Sequence, residues 1–126
     1  MPKALLDTQV FLWALQADRR LTAAMRAELS RAEGLYVSAA SIWEIAIKAS
    51  LGKIDGDPDA LTAAIEASGF EELPVTARHA AAVANLPAPH HDPFDRLLLA
   101  QAFTEPMGLM TADTALAAYG GAVRVI

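Results

Sequence analysis

Two acidic residues follow two short apolar segments of the sequence. Residues 3–6 and 109–111 are predicted strands, and Asp7 and Asp113 come just after them. In an open α/β sheet, ligands bind beyond the carboxyl ends of the strands, so both carboxylates are candidates for one site if these two strands are neighbours. Each acid has a second interpretation, because Asp7 and Asp113 each precede a threonine in a pattern typical of a helix N-cap.

Glu44 is a third candidate, and it lies in the largely apolar segment 38–48. A helix that is apolar nearly all round is buried, and a carboxylate in it costs free energy unless a partner pairs with it. Two structural interpretations stay open. Ser41 and Glu44 have the spacing of a capping box, while Glu44 and Lys48 have the i, i+4 spacing of an exposed ion pair.

Two further acids stand at the predicted start of a helix over residues 93–103. Asp92 precedes Pro93, which is typical of an N-cap followed by proline at the first helical position. Asp95 opens the amphipathic stretch, where the helix macrodipole alone favours an acid by about 0.3–1 kcal/mol. We therefore take Asp95 as a candidate ligand and leave Asp92 open between ligand and N-cap.

As a group, Asp7, Glu44, Asp95 and Asp113 predict a chemistry that none of them predicts alone. At an effective dielectric constant near 20, two like charges 4 Å apart repel by about 4 kcal/mol, so converging carboxylates need cations. An oxygen-only ligand set favours Mg²⁺ or Mn²⁺, because Zn²⁺ and Cu²⁺ sites usually include His or Cys. Such sites support phosphoryl transfer, in which the metal lowers the pKa of a bound water and stabilises the leaving oxygen.

Short apolar runs alternate with helical patterns along the chain, which is typical of an α/β fold with a largely parallel sheet. The predicted strands span residues 3–6, 35–37, 71–73, 109–111 and 123–126. The predicted helices span residues 8–16, 23–31, 42–51, 60–67, 77–85, 93–103 and 114–119. Gly52 and Gly69 each follow a helical pattern, where a left-handed C-cap residue is expected.

The length of 126 residues predicts a single domain, 1–126. The chain has no Cys, which excludes disulfides and thiolate metal sites. Its net charge of −5 disfavours a polyanionic partner, but if four of the fifteen acids surround cations the remaining charge is 10 − 11 = −1. No stretch approaches the ~20 apolar residues of a membrane span and the first acid comes too early for a secretory signal, so we expect a cytoplasmic protein. Apolar residues make up 54% of the chain, which suggests a surface that another chain covers.

Four segments in sequence resemble the PIN-domain ribonucleases, specifically the VapC-like toxins of bacterial type II toxin–antitoxin pairs. The match runs in the right order from Leu5 to the C-terminus. The segments are Leu5-Leu6-Asp7-Thr8, Ser41-Ile42-Trp43-Glu44 followed by Leu51-Gly52-Lys53, His91-Asp92-Pro93-Phe94-Asp95-Arg96, and Leu109-Met110-Thr111-Ala112-Asp113. Any one of these segments is a weak signal, and the four together are specific.

The resemblance implies a PIN-like α/β/α sandwich whose five-stranded parallel sheet has the order 3-2-1-4-5, flanked by about seven helices. It also implies a Mg²⁺-dependent (or Mn²⁺-dependent) endoribonuclease that a cognate antitoxin inhibits by placing a C-terminal segment in the site. A homodimer is expected, and a heterotetramer or larger assembly with the antitoxin.

Residue by residue, the resemblance matches Asp7, Glu44, Asp95 and Asp113 to the family's acidic quartet. Asp7 and Asp95 would be the most direct metal ligands, Glu44 would position or activate water, and Asp113 would complete the metal shell. The possible supporting residues are Thr8 and Thr111 as hydroxyls near the metal, Asp92, and Lys48 and Arg96 as contacts for phosphates. His90 and His91 are adjacent and therefore diverge, so we expect a loop or RNA contact there rather than a metal pair.

Other classes of protein remain open at this point. An RNA-processing PIN nuclease without an antitoxin has the same residues. A receiver-like signalling domain needs a paired acid near the first strand and a lysine after the last strand, and the chain ends at Ile126. A haloacid-dehalogenase-like phosphatase needs an acid where Gln9 stands. In a non-catalytic binding module, the acids are only helix caps.

Overall fold

The computed structural model describes residues 3–87 and 92–126. The strands are β1 (Lys3–Leu6), β2 (Gly34–Ser38), β3 (Glu71–Leu73), β4 (Gly108–Thr111) and β5 (Val123–Val125). The α-helices are α1 (Thr8–Leu15), α2 (Ala23–Ser30), α3 (Ala39–Ser50), α4 (Pro58–Ala67), α5 (Ala77–Ala82) and α6 (Pro93–Thr104). Two 3₁₀ segments, Val83–Asn85 and Thr114–Tyr119, complete the described elements.

All five strands are parallel and form one sheet in the order β3-β2-β1-β4-β5, as the resemblance implied. The central strand β1 pairs with β2 through Leu5 and Tyr36 and with β4 through Leu6 and Met110. The pairing continues one residue past β1, since the Asp7 N–H donates to the Met110 carbonyl at 3.0 Å. Strands β1 and β4 are therefore neighbours, and their carboxyl ends lie at one edge of the sheet.

Helices cover both faces of the sheet, because alternate residues of a strand point to opposite faces. Ala4 and Leu6 of β1 belong to one buried cluster, and Leu5 between them belongs to another. The first cluster includes Phe11 of α1, Leu29 of α2 and Ile65 of α4. The second includes Leu98, Leu99 and Ala102 of α6 together with Leu116 and Tyr119. This is the expected sandwich.

The helix ends agree with the predicted caps at several positions. Asp92 accepts hydrogen bonds from the backbone at the start of α6, with Pro93 at the first position of the helix. Gly52 and Gly69 have φ of 71° and 84°, and each follows a helix as the left-handed residue of a Schellman motif. In the first motif the Gly52 N–H donates to Ala49 O and the Lys53 N–H to Lys48 O.

Helix α3 begins earlier than the sequence predicted. It starts at Ala39 rather than residue 42, because the Ser38 hydroxyl caps it by accepting from the Ala40 N–H at 2.9 Å. Ser41 is therefore inside the helix, and the capping box between Ser41 and Glu44 was wrong. Two other predicted helices also differ from the structure. The helix predicted over 77–85 is split into α5 and a 3₁₀ turn, and residues 114–119 form a 3₁₀ helix rather than an α-helix.

Within residues 3–87 and 92–126, no helix is long and apolar enough to cross a membrane.

Candidate active site

An acidic cavity of about 190 Å³ opens at the carboxyl ends of β1 and β4. The structure brings all four predicted acids to this cavity, and Asp92 joins them. The lining residues are Asp7, Thr8, Gln9, Leu12, Glu44, Lys48, Ile54, Asp92, Asp95 and Asp113. Asp7 and Asp113 come from the strand ends, Glu44 from α3, and Asp92 and Asp95 from the start of α6.

Asp7 lies at the floor of the cavity and is only 5% exposed. Its Oδ1 accepts from the Val10 N–H at 2.8 Å, which caps α1, and its Oδ2 accepts from the Thr111 hydroxyl at 2.5 Å. The pKa of this carboxyl is raised from 3.8 to about 6, mainly by burial and in smaller part by the charges of Asp95 and Glu44, and the hydrogen bonds from Thr111 and Val10 limit the rise. The side chain of Asp7 therefore both caps α1 and lines the acidic cavity.

Glu44 is 7% exposed and has a partner for each carboxylate oxygen. The Thr8 hydroxyl donates to Oε1 at 2.7 Å, and the Lys48 ammonium donates to Oε2 at 2.5 Å. The predicted pairing with Lys48 is therefore present, but it is partly buried at the cavity wall rather than exposed. The pKa of Lys48 is raised, first by its hydrogen bond to Glu44 and then by the charges of Glu44, Asp92 and Asp95.

Asp92 and Asp113 also combine a cap with a place in the cavity. Asp92 Oδ1 accepts from the N–H groups of Phe94 (2.8 Å) and Asp95 (3.1 Å), and Asp113 Oδ1 accepts from the Ala115 N–H at 2.9 Å. In both residues the capping bonds use the same oxygen, Oδ1. Capping a helix therefore does not remove either carboxylate from the lining of the acidic cavity.

The comparisons with known proteins agree with this fold. The family model of the PIN domain matches residues 4–122. The chain belongs to the PIN-domain family. A search of curated proteins gives no match.

Solved structures similar to this PIN domain cover nearly its whole length. A chain of the toxin–antitoxin complex from Klebsiella pneumoniae is 20% identical with a TM-score of 0.67, covering 97% of this chain and 96% of that one. A chain of VapBC2 from Rickettsia felis, bound to a promoter DNA fragment, is 13% identical with a TM-score of 0.69, covering 98% and 97%. A chain of FitAB bound to the IR36 DNA fragment is 24% identical with a TM-score of 0.69, covering 97% and 94%. At these identities the likeness shows the fold.

PIN domains are nucleases, so membership of the family supports a hydrolase that acts on nucleic acid. PIN nucleases generally use divalent metal ions. The five carboxylates of the acidic cavity against one lysine give a formal charge of −4 at this place. That charge suits a divalent cation.

The donor set of this PIN domain fits a hard cation such as Mg²⁺ in chemistry, since the acids offer carboxylate oxygens. Burial and the neighbouring acids disfavour the ionised form of Asp7 and so raise its pKa. A cation bound nearby would stabilise that ionised form, so the electrostatics of Asp7 also suit a cation. In the described part of the chain, no three His, Asp or Glu side chains are already grouped as a ligand set. Lys48 and the two threonines, Thr8 and Thr111, hold several of the carboxylate oxygens instead.

The two predicted hydroxyls lie in the site, and one of them joins two acids. Thr8 donates to Glu44, and its hydroxyl oxygen is 2.9 Å from that of Ser41. The Thr111 hydroxyl donates to Asp7 and accepts from the Asp113 N–H at 3.0 Å. The threonines therefore orient the carboxylates of Asp7 and Glu44, and Thr111 also contacts the backbone of Asp113.

Arg96, a predicted phosphate contact, does not line the acidic cavity. Its guanidinium donates to the Pro87 carbonyl at 2.7 Å, to the Tyr119 hydroxyl at 3.2 Å and to the Val83 carbonyl at 3.3 Å. One helical position separates it from Asp95, so the two side chains leave α6 about 100° apart. In the structure Arg96 joins the 83–87 segment to α6 by hydrogen bonds to its backbone carbonyls. His90 and His91 lie outside the described residues.

Three lining residues were not predicted from the sequence. Gln9, Leu12 and Ile54 reach the cavity because α1 runs across it and because the chain after α3 returns beside it. Gln9 and Leu12 are one turn apart on α1, and this spacing is the only signal in the sequence that marks them. Ile54 carries no such signal.

Proposed function

We propose that this PIN domain is a divalent-metal-dependent endoribonuclease, using Mg²⁺ or Mn²⁺, and the toxin of a toxin–antitoxin module. The observation that carries the proposal is the convergence of Asp7, Glu44, Asp95 and Asp113 on one cavity at the carboxyl ends of β1 and β4. Helix capping does not account for Glu44 or Asp95 in this cavity, because Ser38 caps α3 and Asp92 caps α6.

In this proposal Asp7 and Asp95 would hold the metal most directly and Asp113 would complete its surroundings. A bound divalent metal would lower the pKa of a water and stabilise the oxygen that leaves. Glu44 is 7% exposed at the wall of the same cavity, where it positions the attacking water and accepts its proton. The water oxygen attacks phosphorus in line, the bond from phosphorus to the 3′-oxygen breaks, and the products are a 5′-phosphate and a 3′-hydroxyl.

The supporting residues hold these acids in place. Thr111 donates to Asp7 and lowers its pKa against the larger effect of burial, and Thr8 donates to Glu44 and orients its carboxylate. Lys48 balances part of the negative charge of the cavity and is half-exposed, so its ammonium is available to a phosphate of the substrate. Asp92 lies in the cavity with one oxygen engaged in capping α6.

Three observations support an antitoxin as the inhibitor. The similar solved structures are named toxin–antitoxin, VapBC2 and FitAB structures, and this chain covers at least 94% of each chain compared. A second cavity of about 390 Å³ beside α1 and α2 is lined by apolar side chains that include Leu15, Leu29, Leu35 and Phe70. The acidic cavity itself attracts a basic segment. We propose that the cognate antitoxin covers the apolar cavity and places such a segment among the acids, and that the toxin acts as a homodimer in the cytoplasm.

The proposal is tested by comparing RNA with DNA of the same sequence. Purified protein with Mg²⁺ is expected to cut an end-labelled structured RNA and to leave 5′-phosphates, and to leave the DNA intact. Induced expression in bacteria is expected to stop growth, and Glu44→Gln to relieve the arrest. Equal cutting of RNA and DNA, or growth arrest by the Glu44→Gln variant, contradicts the proposal.

A further inference from the structure

Two aromatic rings stand beside the acidic cavity without lining it. Trp43 precedes Glu44 in α3, and Phe94 precedes Asp95 in α6. The two rings meet between the helices, with centroids 5.0 Å apart and planes inclined by 67°. Each ring is therefore one residue from an acid of the site. We define Trp43 and Phe94 as the aromatic pair.

Trp43 is much more exposed than the two residues that follow it in α3. Its side chain is 56% exposed, although Glu44 and Ile45 beside it are buried. Indole is a large apolar ring whose exposure to water is unfavourable, and exposed apolar surface next to a site is typical of a binding contact. Phe94 supports the indole edge-to-face, which holds the ring in place before anything binds.

The charge of the protein argues for a neutral contact with an RNA substrate. The chain carries a net charge of −5, and of the residues lining the acidic cavity in the described structure, Lys48 is the one cation. Affinity that comes from neutralising phosphates needs several Lys or Arg contacts. A nucleobase stacked on an aromatic ring binds without any charge on the protein, and every base has a face to offer.

We propose that the aromatic pair is a stacking platform for an unpaired nucleobase next to the phosphate that is cut. This inference rests on the proposed function, since it needs an RNA substrate in the acidic cavity. Trp43 is then a substrate-binding residue that sets affinity and register, and the chemistry stays with the acids. Binding depends on the base and only weakly on salt.

The experiment measures the Kd of the full-length protein for a fluorescein-labelled 12-nucleotide RNA, with Ca²⁺ in place of Mg²⁺. A second RNA has the same backbone with abasic sites in place of its central bases. The parent protein is expected to bind the normal RNA at least about 5-fold more tightly than the abasic RNA, which is the lower end of the effect of one stacked base. Trp43→Ala is expected to bind both equally, while Trp43→Phe retains most of the difference.

Kinetics and spectroscopy give independent readouts. With Mg²⁺, Trp43→Ala is expected to raise KM about 5-fold or more with kcat within about 2-fold of the parent value. Trp13 and Trp43 are the two tryptophans of the chain, so Trp43 is the sole reporter in Trp13→Phe, and RNA is expected to quench its fluorescence. Phe103→Ala is the matched control, because Phe103 is 40% exposed on α6 and about 13 Å along the helix from Phe94.

Two outcomes overturn the stacking platform alone. In the first, the parent binds and cuts RNA, and Trp43→Ala has the same Kd and KM. In the second, Trp43→Ala halves the molecular mass in light scattering with an unchanged Kd, and RNA does not quench Trp43 fluorescence in Trp13→Phe, so that the aromatic pair is a contact between copies. If the parent neither binds nor cuts RNA, the proposed function fails and the stacking platform fails with it. Thermal unfolding of Trp43→Ala close to that of the parent shows that the variant is folded.

Discussion

The hydroxyl of Thr111 donates to Oδ2 of Asp7 at 2.5 Å, across 104 positions of sequence. The contact exists because β1 and β4 are parallel neighbours, so their last residues come to the same edge of the sheet. The same hydroxyl accepts from the Asp113 N–H. One threonine on β4 therefore connects the two acids that follow the two strands.

Replacing Thr111 is expected to weaken metal binding most at low pH. The Thr111 hydrogen bond lowers the pKa of Asp7, so Thr111→Val raises that pKa above its value of about 6 and leaves the carboxyl protonated over a wider range of pH. Metal binding must displace that proton. We expect the Mg²⁺ affinity of Thr111→Val to fall about 10-fold or more at pH 6 and less at pH 8, measured by calorimetry.

Thr111→Ser is the matched control for this change. Serine keeps the hydroxyl that donates to Asp7, so its Mg²⁺ affinity is expected to stay near that of the parent at both pH values. An equal loss in the Ser and Val variants shows that a retained hydroxyl does not preserve metal binding, which contradicts the role of the hydrogen bond.

Asp7→Asn is expected to make the metal-free protein more stable at neutral pH. Burial raises the folded-state pKa of Asp7 from 3.8 to about 6, so the folded form is most stable while the carboxyl is protonated and loses stability as pH rises through 6. Asparagine still caps α1 and carries no charge. At about 1.4 kcal/mol per pKa unit, the variant gains roughly 2–3 kcal/mol at pH 7.5, and the gain disappears near pH 3.

The measurement is thermal unfolding in EDTA between pH 3 and pH 8. Adding Mg²⁺ is expected to stabilise the parent and not Asp7→Asn, because a ligand that binds only the folded form stabilises it by mass action. A parent protein that is more stable than Asp7→Asn in EDTA at pH 7.5 contradicts the assignment of a raised pKa to Asp7.

Glu44→Gln is expected to lower kcat by about 100-fold or more with little change in KM for RNA. The amide cannot accept a proton from water, and general acid–base groups contribute typically 10²- to 10⁴-fold. Glutamine keeps one acceptor oxygen, so one of the two donations from Thr8 and Lys48 is retained and the other is lost. Steady-state cleavage of a labelled RNA measures the effect, with Glu66→Gln on the exposed face of α4 as control.

Arg96→Ala is expected to act on stability rather than on the chemical step. The guanidinium donates to carbonyls of the 83–87 segment and to the Tyr119 hydroxyl, and hydrogen bonds of charged groups contribute about 1.5–3 kcal/mol. The free energy of unfolding in urea should fall by about that amount. Arg78→Ala, which removes one 3.5 Å contact with Thr104 O, should change it by less than about 0.5 kcal/mol. If Arg96→Ala unfolds like the parent and loses RNA binding, the residue contacts the substrate after all.

The sequence predicted the strands well because four of the five are short, largely apolar runs bounded by polar residues or turns; β3 is the exception, with two glutamates before Leu73. It predicted the acids because Asp7 and Asp113 follow such runs and Glu44 interrupts an apolar helix. It misplaced the start of α3, because Ser38 and Ser41 are both plausible caps and only the end of β2 decides between them. The helical periodicity did not predict that Arg96 lies outside the acidic cavity, because the direction of the Arg96 side chain depends on how α6 packs.

The contacts that join distant segments were beyond the sequence for the same reason. The donation from Thr8 to Glu44 spans 36 positions, and it depends on how α1 crosses α3 over the sheet. The aromatic pair joins α3 to α6, so neither Trp43 nor Phe94 predicts the contact from its own place in the sequence. The resemblance supplied the sheet order, and that order is what predicts that the four separate acids lie in one site.

The most direct test of the account is cleavage of an end-labelled structured RNA by the parent protein, Asp7→Asn, Asp95→Asn and the control Asp59→Asn on the exposed start of α4. Each protein is assayed with Mg²⁺, with Mn²⁺ and with EDTA. We expect the parent and Asp59→Asn to cut only when a metal is present, and Asp7→Asn and Asp95→Asn not to cut under any of the three conditions. Cutting by the parent in EDTA contradicts a metal-dependent nuclease site built on these acids. Cutting by Asp7→Asn and Asp95→Asn at the rate of the parent contradicts it as well.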